Sequence, residues 1–159
     1  MGSNGSTLRV CVVCLGNICR SPLGEAALRQ AGMTRGFRLK VSSAGTGGWH
    51  AGEAPDRRSI LTAKRHGLDI SKQRAQQFRP GDFSRYDLVL AMDNQNASDL
   101  QKMAKSQNER EKVHLFLRNG GNVPDPYHGD ASDFEAVYQM VKTAAQEWIE
   151  KWEDEMPAT

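Results

Sequence analysis

Val10-Cys11-Val12-Val13-Cys14-Leu15-Gly16-Asn17-Ile18-Cys19-Arg20-Ser21-Pro22 is the stretch whose reading decides the fold. It opens as a short apolar run, passes a tight turn at Gly16-Asn17 and reaches Ser21-Pro22, after which a helical pattern begins at Leu23. That is a strand, a loop and a helix start. The N–H groups of such a loop and of the first helical turn lack internal partners and converge on one spot, where the helix dipole adds positive potential. The spot favours an anion. Cys14 stands at the strand end and Arg20 closes the loop, leaving Leu15, Gly16, Asn17, Ile18 and Cys19 to wrap a tetrahedral oxyanion. The planar fork of Arg20 fits two phosphate oxygens at once, which a lysine does not. A cysteine ringed by N–H groups is expected as a thiolate, because such donors favour the charged sulfur. Ser21 is placed to donate its hydroxyl to that sulfur. Asn17 is a residue that tolerates the left-handed backbone a tight phosphate loop demands.

Outward from this stretch, Leu8 to Val13 alternates little, so both its faces are expected to be covered, as in a parallel sheet between helix layers. The pattern predicts a first helix over Leu23–Gln30 stopped by Gly32, and a strand nearer the sheet edge over Phe37–Ser42. It predicts a second helix from Pro55 or Asp56 to Arg65, stopped by Gly67, and a third strand over Tyr86–Met92. Asp93 and Asn94 offer caps for a helix over Ala97–Lys105, Ser106–Lys112 reads as a surface connection, and Val113–Leu117 as the fourth strand. After a Pro/Gly loop from Gly120 to Asp130, Phe134–Trp152 carries Phe134, Val137, Tyr138, Val141, Ala145, Trp148 and Ile149 at core spacing. Strands alternating with helices predict a single-domain α/β three-layer sandwich with a four-stranded parallel sheet, spanning residues 8–156 behind a flexible tail at 1–7. Ligands of such sheets bind beyond the carboxyl ends of the strands, where Cys14, Trp49, Asp93 and Pro124-Asp125-Pro126 would meet.

The totals narrow the class. A length of 159 residues suits one domain, and a formal charge of +2 without a long basic run argues against a nucleic-acid partner. All three cysteines fall within residues 11 to 19, so no disulfide scaffold crosses the chain and a reduced, cytoplasmic setting is expected. The N-terminal apolar run is too short to span a bilayer, and no membrane partner is expected. No His/Asp/Glu cluster has ligand spacing, and neither a Gly-x-Gly-x-x-Gly nor a Walker pattern is present, so no metal or cofactor is expected. A redox or metal module built on Cys11 and Cys14 is disfavoured, because a strand sends the two to opposite faces. Cys11 is expected to face into the sheet and to be inert.

Over the whole nonapeptide, Cys14-Leu15-Gly16-Asn17-Ile18-Cys19-Arg20-Ser21-Pro22 resembles the signature loop of the low-molecular-weight protein tyrosine phosphatases, and the chain looks like a bacterial-type member. The resemblance implies that Cys14 attacks phosphorus while Arg20 and the loop amides hold the oxygens. It implies that Asp125, in Asp125-Pro126-Tyr127, is the general acid and then the base that hydrolyses a cysteinyl-phosphate, with Ser21 steadying the departing thiolate. It points to Ser43, to His66 in Lys64-Arg65-His66-Gly67 and to Asp93 in Met92-Asp93 as a hydrogen-bond chain behind Asn17. Trp49 and Tyr127 would form the walls around an aromatic ring. His128 stands where many animal relatives carry a second tyrosine, which counts against regulation through a tyrosine pair. For Cys19 two readings stay open: a peroxide-induced reversible disulfide with Cys14, or a small buried residue at the helix entrance.

The resemblance also implies phosphotyrosine proteins as substrates, a cognate tyrosine kinase as a further candidate partner, and a monomer or weak dimer. Three rivals share its features. Arsenate reductases carry a similar loop but use a redox cysteine well downstream, and no cysteine follows Cys19. Protein-arginine phosphatases of the same family tend to carry Thr where this chain has Ile18, so they stand as the alternative and Ile18 favours phosphotyrosine. A non-catalytic phosphoprotein-binding module would lack Cys14 or Asp125, and both are present.

Overall fold

Leu8–Cys14 forms β1, and apart from Arg9 its residues divide between two cores, Leu8, Val10, Val12 and Cys14 facing one and Cys11 and Val13 the other. A strand buried on both faces has to lie inside the sheet. It does: β2 (Leu39–Gly45), β3 (Leu88–Ala91) and β4 (Val113–Leu115) complete an all-parallel sheet of order β2-β1-β3-β4. The computed structural model describes residues 6–156, so most of the tail expected at 1–7 lies outside the described residues.

One face of the sheet is covered by α1 (Arg20–Arg35), α2 (Arg57–Arg65) and α5 (Ala131–Glu155), through Leu23, Leu28, Ala63, Val137, Val141 and Ile149. Trp148 and Trp152 pack in the same core, Trp148 also donating through Nε1 to Phe116 O at 2.7 Å. The other face is covered by α3 (Asn94–Met103), through Leu100, and by a 3-10 segment at Pro80–Arg85 that supplies Phe83. This is the three-layer α/β sandwich that the pattern predicts. Among the described residues no helix is long and apolar enough to cross a membrane.

Element ends differ from the expected ones for local reasons. α1 starts at Arg20, not Leu23, because the loop after Cys14 itself turns into the helix, and Pro22 fits a first turn that needs no N–H from it. It runs past Gly32 to a left-handed cap at Gly36, φ 65°. β2 starts two residues later than expected and ends three later, extending through Ser43 to Gly45 beside Cys14. The stretch expected as a connection holds a short helix, α4 (Gln107–Glu111), capped by Ser106. α5 begins at Ala131 behind a capping box made by Asp130 and Asp133.

Candidate active site

The carboxyl end of β1 delivers Cys14, and the loop curls back so that Asn17 N donates to Cys14 Sγ at 3.3 Å. Asn17 takes φ 59°, the left-handed region expected for it. Its buried side chain is fully used: Nδ2 donates to Ser21 Oγ at 2.8 Å and to Ser43 Oγ at 3.0 Å, while Oδ1 accepts from Gln76 N at 3.0 Å. Ser43 spends its own hydrogen on Glu25 Oε1 at 2.7 Å. Since Ser21 Oγ already accepts from Asn17, its hydrogen is free for Cys14 Sγ, 3.0 Å away. A buried chain thus runs Glu25, Ser43, Asn17, Ser21, Cys14.

Two residues expected in that chain lie elsewhere. His66 caps the far end of α2, with Nε2 at 2.8 Å from Glu135 Oε2 and its ring stacked on Tyr138 at 4.0 Å. The start of α2 touches the loop after Cys14, and nine helical residues rising about 1.5 Å each carry His66 away from it. The backbone N–H of Gln76 occupies the acceptor side of Asn17 instead. Asp93 turns to Arg20: its Oδ2 accepts from Nη1 at 2.7 Å, and its Oδ1 caps α3 through Asn96 N at 2.7 Å. Sequence reasoning missed Glu25, an acid inside a helix whose only signal is its place one turn after Ser21, and the carbonyl of Val123, which receives Arg20 Nη1 at 2.9 Å.

Arg20 is 3% exposed, and its Nη2 lies 3.9 Å from Asp125 Oδ2. Asp125 is half-exposed, with Oδ1 accepting from Tyr127 N at 3.1 Å. Cys14, Arg20 and Asp125 share one cleft of about 260 Å³, walled by Trp49, His50, Tyr127 and His128. Trp49 is 71% exposed and lies along the backbone of Gly47, where a Cβ would collide with its ring. His50, its neighbour in the loop, faces Gly16 and holds Glu53 Oε1 at 3.0 Å through Nδ1. Burial pushes the Cys19 thiol up to about 12, and the charges at Asp56, Cys14 and Asp125 act in the same direction. Burial drives the Cys11 thiol higher still, against a hydrogen bond from Tyr86. Among the described residues no group of three or more His, Cys, Asp or Glu side chains is arranged to hold a metal ion.

The family described as "Low molecular weight phosphotyrosine protein phosphatase" matches residues 9–158. The chain belongs to this family. A low molecular weight protein-tyrosine-phosphatase of Streptomyces coelicolor is 42% identical over 151 residues, covering 87% of this chain and 90% of the relative. The human low molecular weight phosphotyrosine protein phosphatase is 36% identical over 153 residues, covering 92% and 96%. Among solved structures, YfkJ of Bacillus subtilis superposes with a TM-score of 0.87 at 34% identity, covering 95% of this chain and 98% of that one. Vibrio vulnificus Wzb, solved in complex with benzylphosphonate, superposes with a TM-score of 0.84 at 32% identity, covering 92% and 99%. In this low molecular weight phosphatase the floor of the cleft is built from buried groups on β1 and α1, and the walls from exposed loop residues.

Proposed function

We propose that this phosphatase hydrolyses phosphotyrosine and other aryl phosphate monoesters through a cysteinyl-phosphate intermediate. The observation that carries the reading is the meeting of Cys14, Arg20 and Asp125 in one cleft. Cys14 attacks as the thiolate, forming the S–P bond as the P–O bond to the leaving phenol breaks. Arg20 and the N–H groups of Leu15 to Arg20 hold the equatorial oxygens, where charge is greatest in the transition state. Asp125 gives its proton to the leaving oxygen, and the resulting carboxylate takes a proton from water as that water attacks phosphorus. Sulfur leaves again as the thiolate, steadied by the Ser21 hydroxyl. This positive field requires no metal.

The lining supports an aromatic substrate, because Trp49 and Tyr127 bring two aromatic rings to the cleft that holds the Cys14 sulfur. A phenol with a pKa near 10 also departs more readily than an alkyl alcohol. Benzylphosphonate, the ligand of the Vibrio relative, has the same combination of ring and phosphorus group. Phosphotyrosine proteins are then the substrates, a tyrosine kinase acting on the same proteins is the natural partner, and the cytoplasm is the natural site.

The test is hydrolysis of phenyl phosphate by wild type, Cys14→Ser and Asp125→Asn, with and without chelator. Cys14→Ser is expected to be inactive. Asp125→Asn is expected to lose about 10²–10³-fold, within the range of a general acid, and chelator to change nothing. Acid-quenched turnover should leave a phosphorylated thiol on the loop peptide. Turnover by Cys14→Ser, or preference for a phosphoarginine over a phosphotyrosine peptide, would overturn the reading.

A further inference from the structure

The first turn of α2 is bonded to the phosphate loop on one side and to the loop carrying Asp125 on the other. Toward the phosphate loop, Asp56 N donates to Ile18 O at 2.8 Å and Ser59 Oγ donates to Cys19 O at 3.2 Å. Toward the acid loop, Arg58 Nη1 donates to Gly129 O at 3.2 Å. The same guanidinium lies over the rings of Tyr127, 5.6 Å from its centroid, and Phe134, at 4.5 Å. Phe134 belongs to a small buried cluster with Ile18, Cys19 and Ala75, so the underside of the phosphate loop rests on the residue that Arg58 covers.

Arg58 is itself held rigidly. Its Nε and Nη2 donate to the two oxygens of Asp56 at 3.0 and 2.9 Å, a fork on a carboxylate whose own backbone N–H is fixed to Ile18. The acid loop, by contrast, shapes itself locally: Tyr127 N bonds Asp125 Oδ1, and Gly129 N bonds Pro126 O at 2.8 Å. These bonds fix its curvature but not its distance from Cys14. Val123 N, on Met92 O at 2.8 Å, anchors one end, and the Asp130 cap of α5 anchors the other. Among the described residues, the polar links from positions 124–129 to other elements run to two arginines, Arg20 through Asp125 and Arg58 through Gly129. A proton donor displaced by about 1 Å loses much of its effect.

We propose that Arg58 is a positioning residue for the general acid: by bridging Asp56 to Gly129 and Tyr127 it sets the distance between Asp125 and the phosphate loop. The proposal rests on the reading of Asp125 given above. A lysine at this position keeps the charge but cannot grip both oxygens of Asp56 and Gly129 O together.

The test compares kcat/KM for phenyl phosphate, whose leaving group needs a proton, with that for 4-nitrophenyl phosphate, whose leaving group needs it far less. The variants are Arg58→Ala, Arg58→Lys and each combined with Asp125→Asn, with circular dichroism and melting curves as a check on folding. Both single variants are expected to lose about tenfold on phenyl phosphate, part of a general acid's full contribution, and less than about threefold on 4-nitrophenyl phosphate. In the Asp125→Asn background neither is expected to cost anything further. Equal losses on both substrates, losses undiminished in that background, or full activity with lysine would overturn the proposal. Wild-type activity of Asp125→Asn alone would instead remove the acid assignment, a separate result visible before Arg58 is touched.

Discussion

Asp93 grips Arg20 from the N-cap of α3, Oδ2 to Nη1 at 2.7 Å, while the same carboxylate starts the helix through Asn96 N. One side chain therefore serves both the buried Arg20 of the cleft and the fold. Asp93→Ala leaves the 3% exposed Arg20 with only the longer contact to Asp125 and the carbonyl of Val123. The expected loss is about 3 kcal/mol, combining the loss of the nearer partner of a buried charge with a missing cap, read from urea unfolding. Asp93→Asn keeps the cap, so it should recover most of the stability but not the activity on phenyl phosphate.

Asn17 offers a separable test of backbone and side chain. Asn17→Gly accepts φ 59° without strain but abandons Ser21, Ser43 and Gln76 N. Asn17→Ala loses the same bonds and adds the strain of a left-handed alanine, about 1 kcal/mol more. Both are expected to lower kcat about tenfold or more, in proportion to the lost second layer of support. Only the melting temperatures should separate them, with alanine the lower.

Gly45 ends β2 where the loop after Cys14 passes closest. Its N–H and carbonyl are tied to Gln76 O and Phe78 N, and an added Cβ would stand 2.7 Å from Leu15 O and 3.1 Å from the Gly16 carbonyl carbon. Backbone on both sides has little room to give. Gly45→Ala is expected to destabilise by about 1–3 kcal/mol, as overpacking does, and to raise the Ki of a competing tetrahedral anion such as sulfate by displacing the loop. Competition kinetics checks this.

The acid limb of stability should carry a signature of Asp56. Hydrogen bonds from the Arg58 side chain hold its carboxyl below the ordinary value near 3.8, with burial opposing them. A group whose pKa is lowered by folding binds fewer protons in the native state, so its stabilisation is present above the unfolded pKa and is lost as pH falls through the folded one. Asp56→Asn retains an N-cap side chain. Its urea midpoint should lie below that of wild type at pH 7, and the two should converge as pH falls below about 4.

Much of this was legible because short-range pattern carried it. The apolar run into Cys14 and the turn at Gly16-Asn17 mark a strand and a loop without reference to anything distant, and Phe134 to Ile149 shows its core face at helical spacing. What pattern does not encode is where side chains reach. Asp93 is an equally good cap whether or not its second oxygen meets Arg20, 73 residues away. His66 sits beside a loop-like Gly67, which says nothing of Glu135 as its partner. Glu25 reads as a surface acid on a helix until β2 brings Ser43 against it. α1 starts three residues before the pattern places it, because Ser21-Pro22 resembles a helix boundary although the helix begins at Arg20.

Trp49, His50 and His128 reach the cleft from loops and leave the main core without their side chains. On the proposed reading, choice of guest and power over the guest are thus written in different parts of the chain. A library varied at those three positions would re-tailor which phosphoesters are admitted, while the engine beneath them, paired into β1 and α1, ran unaltered.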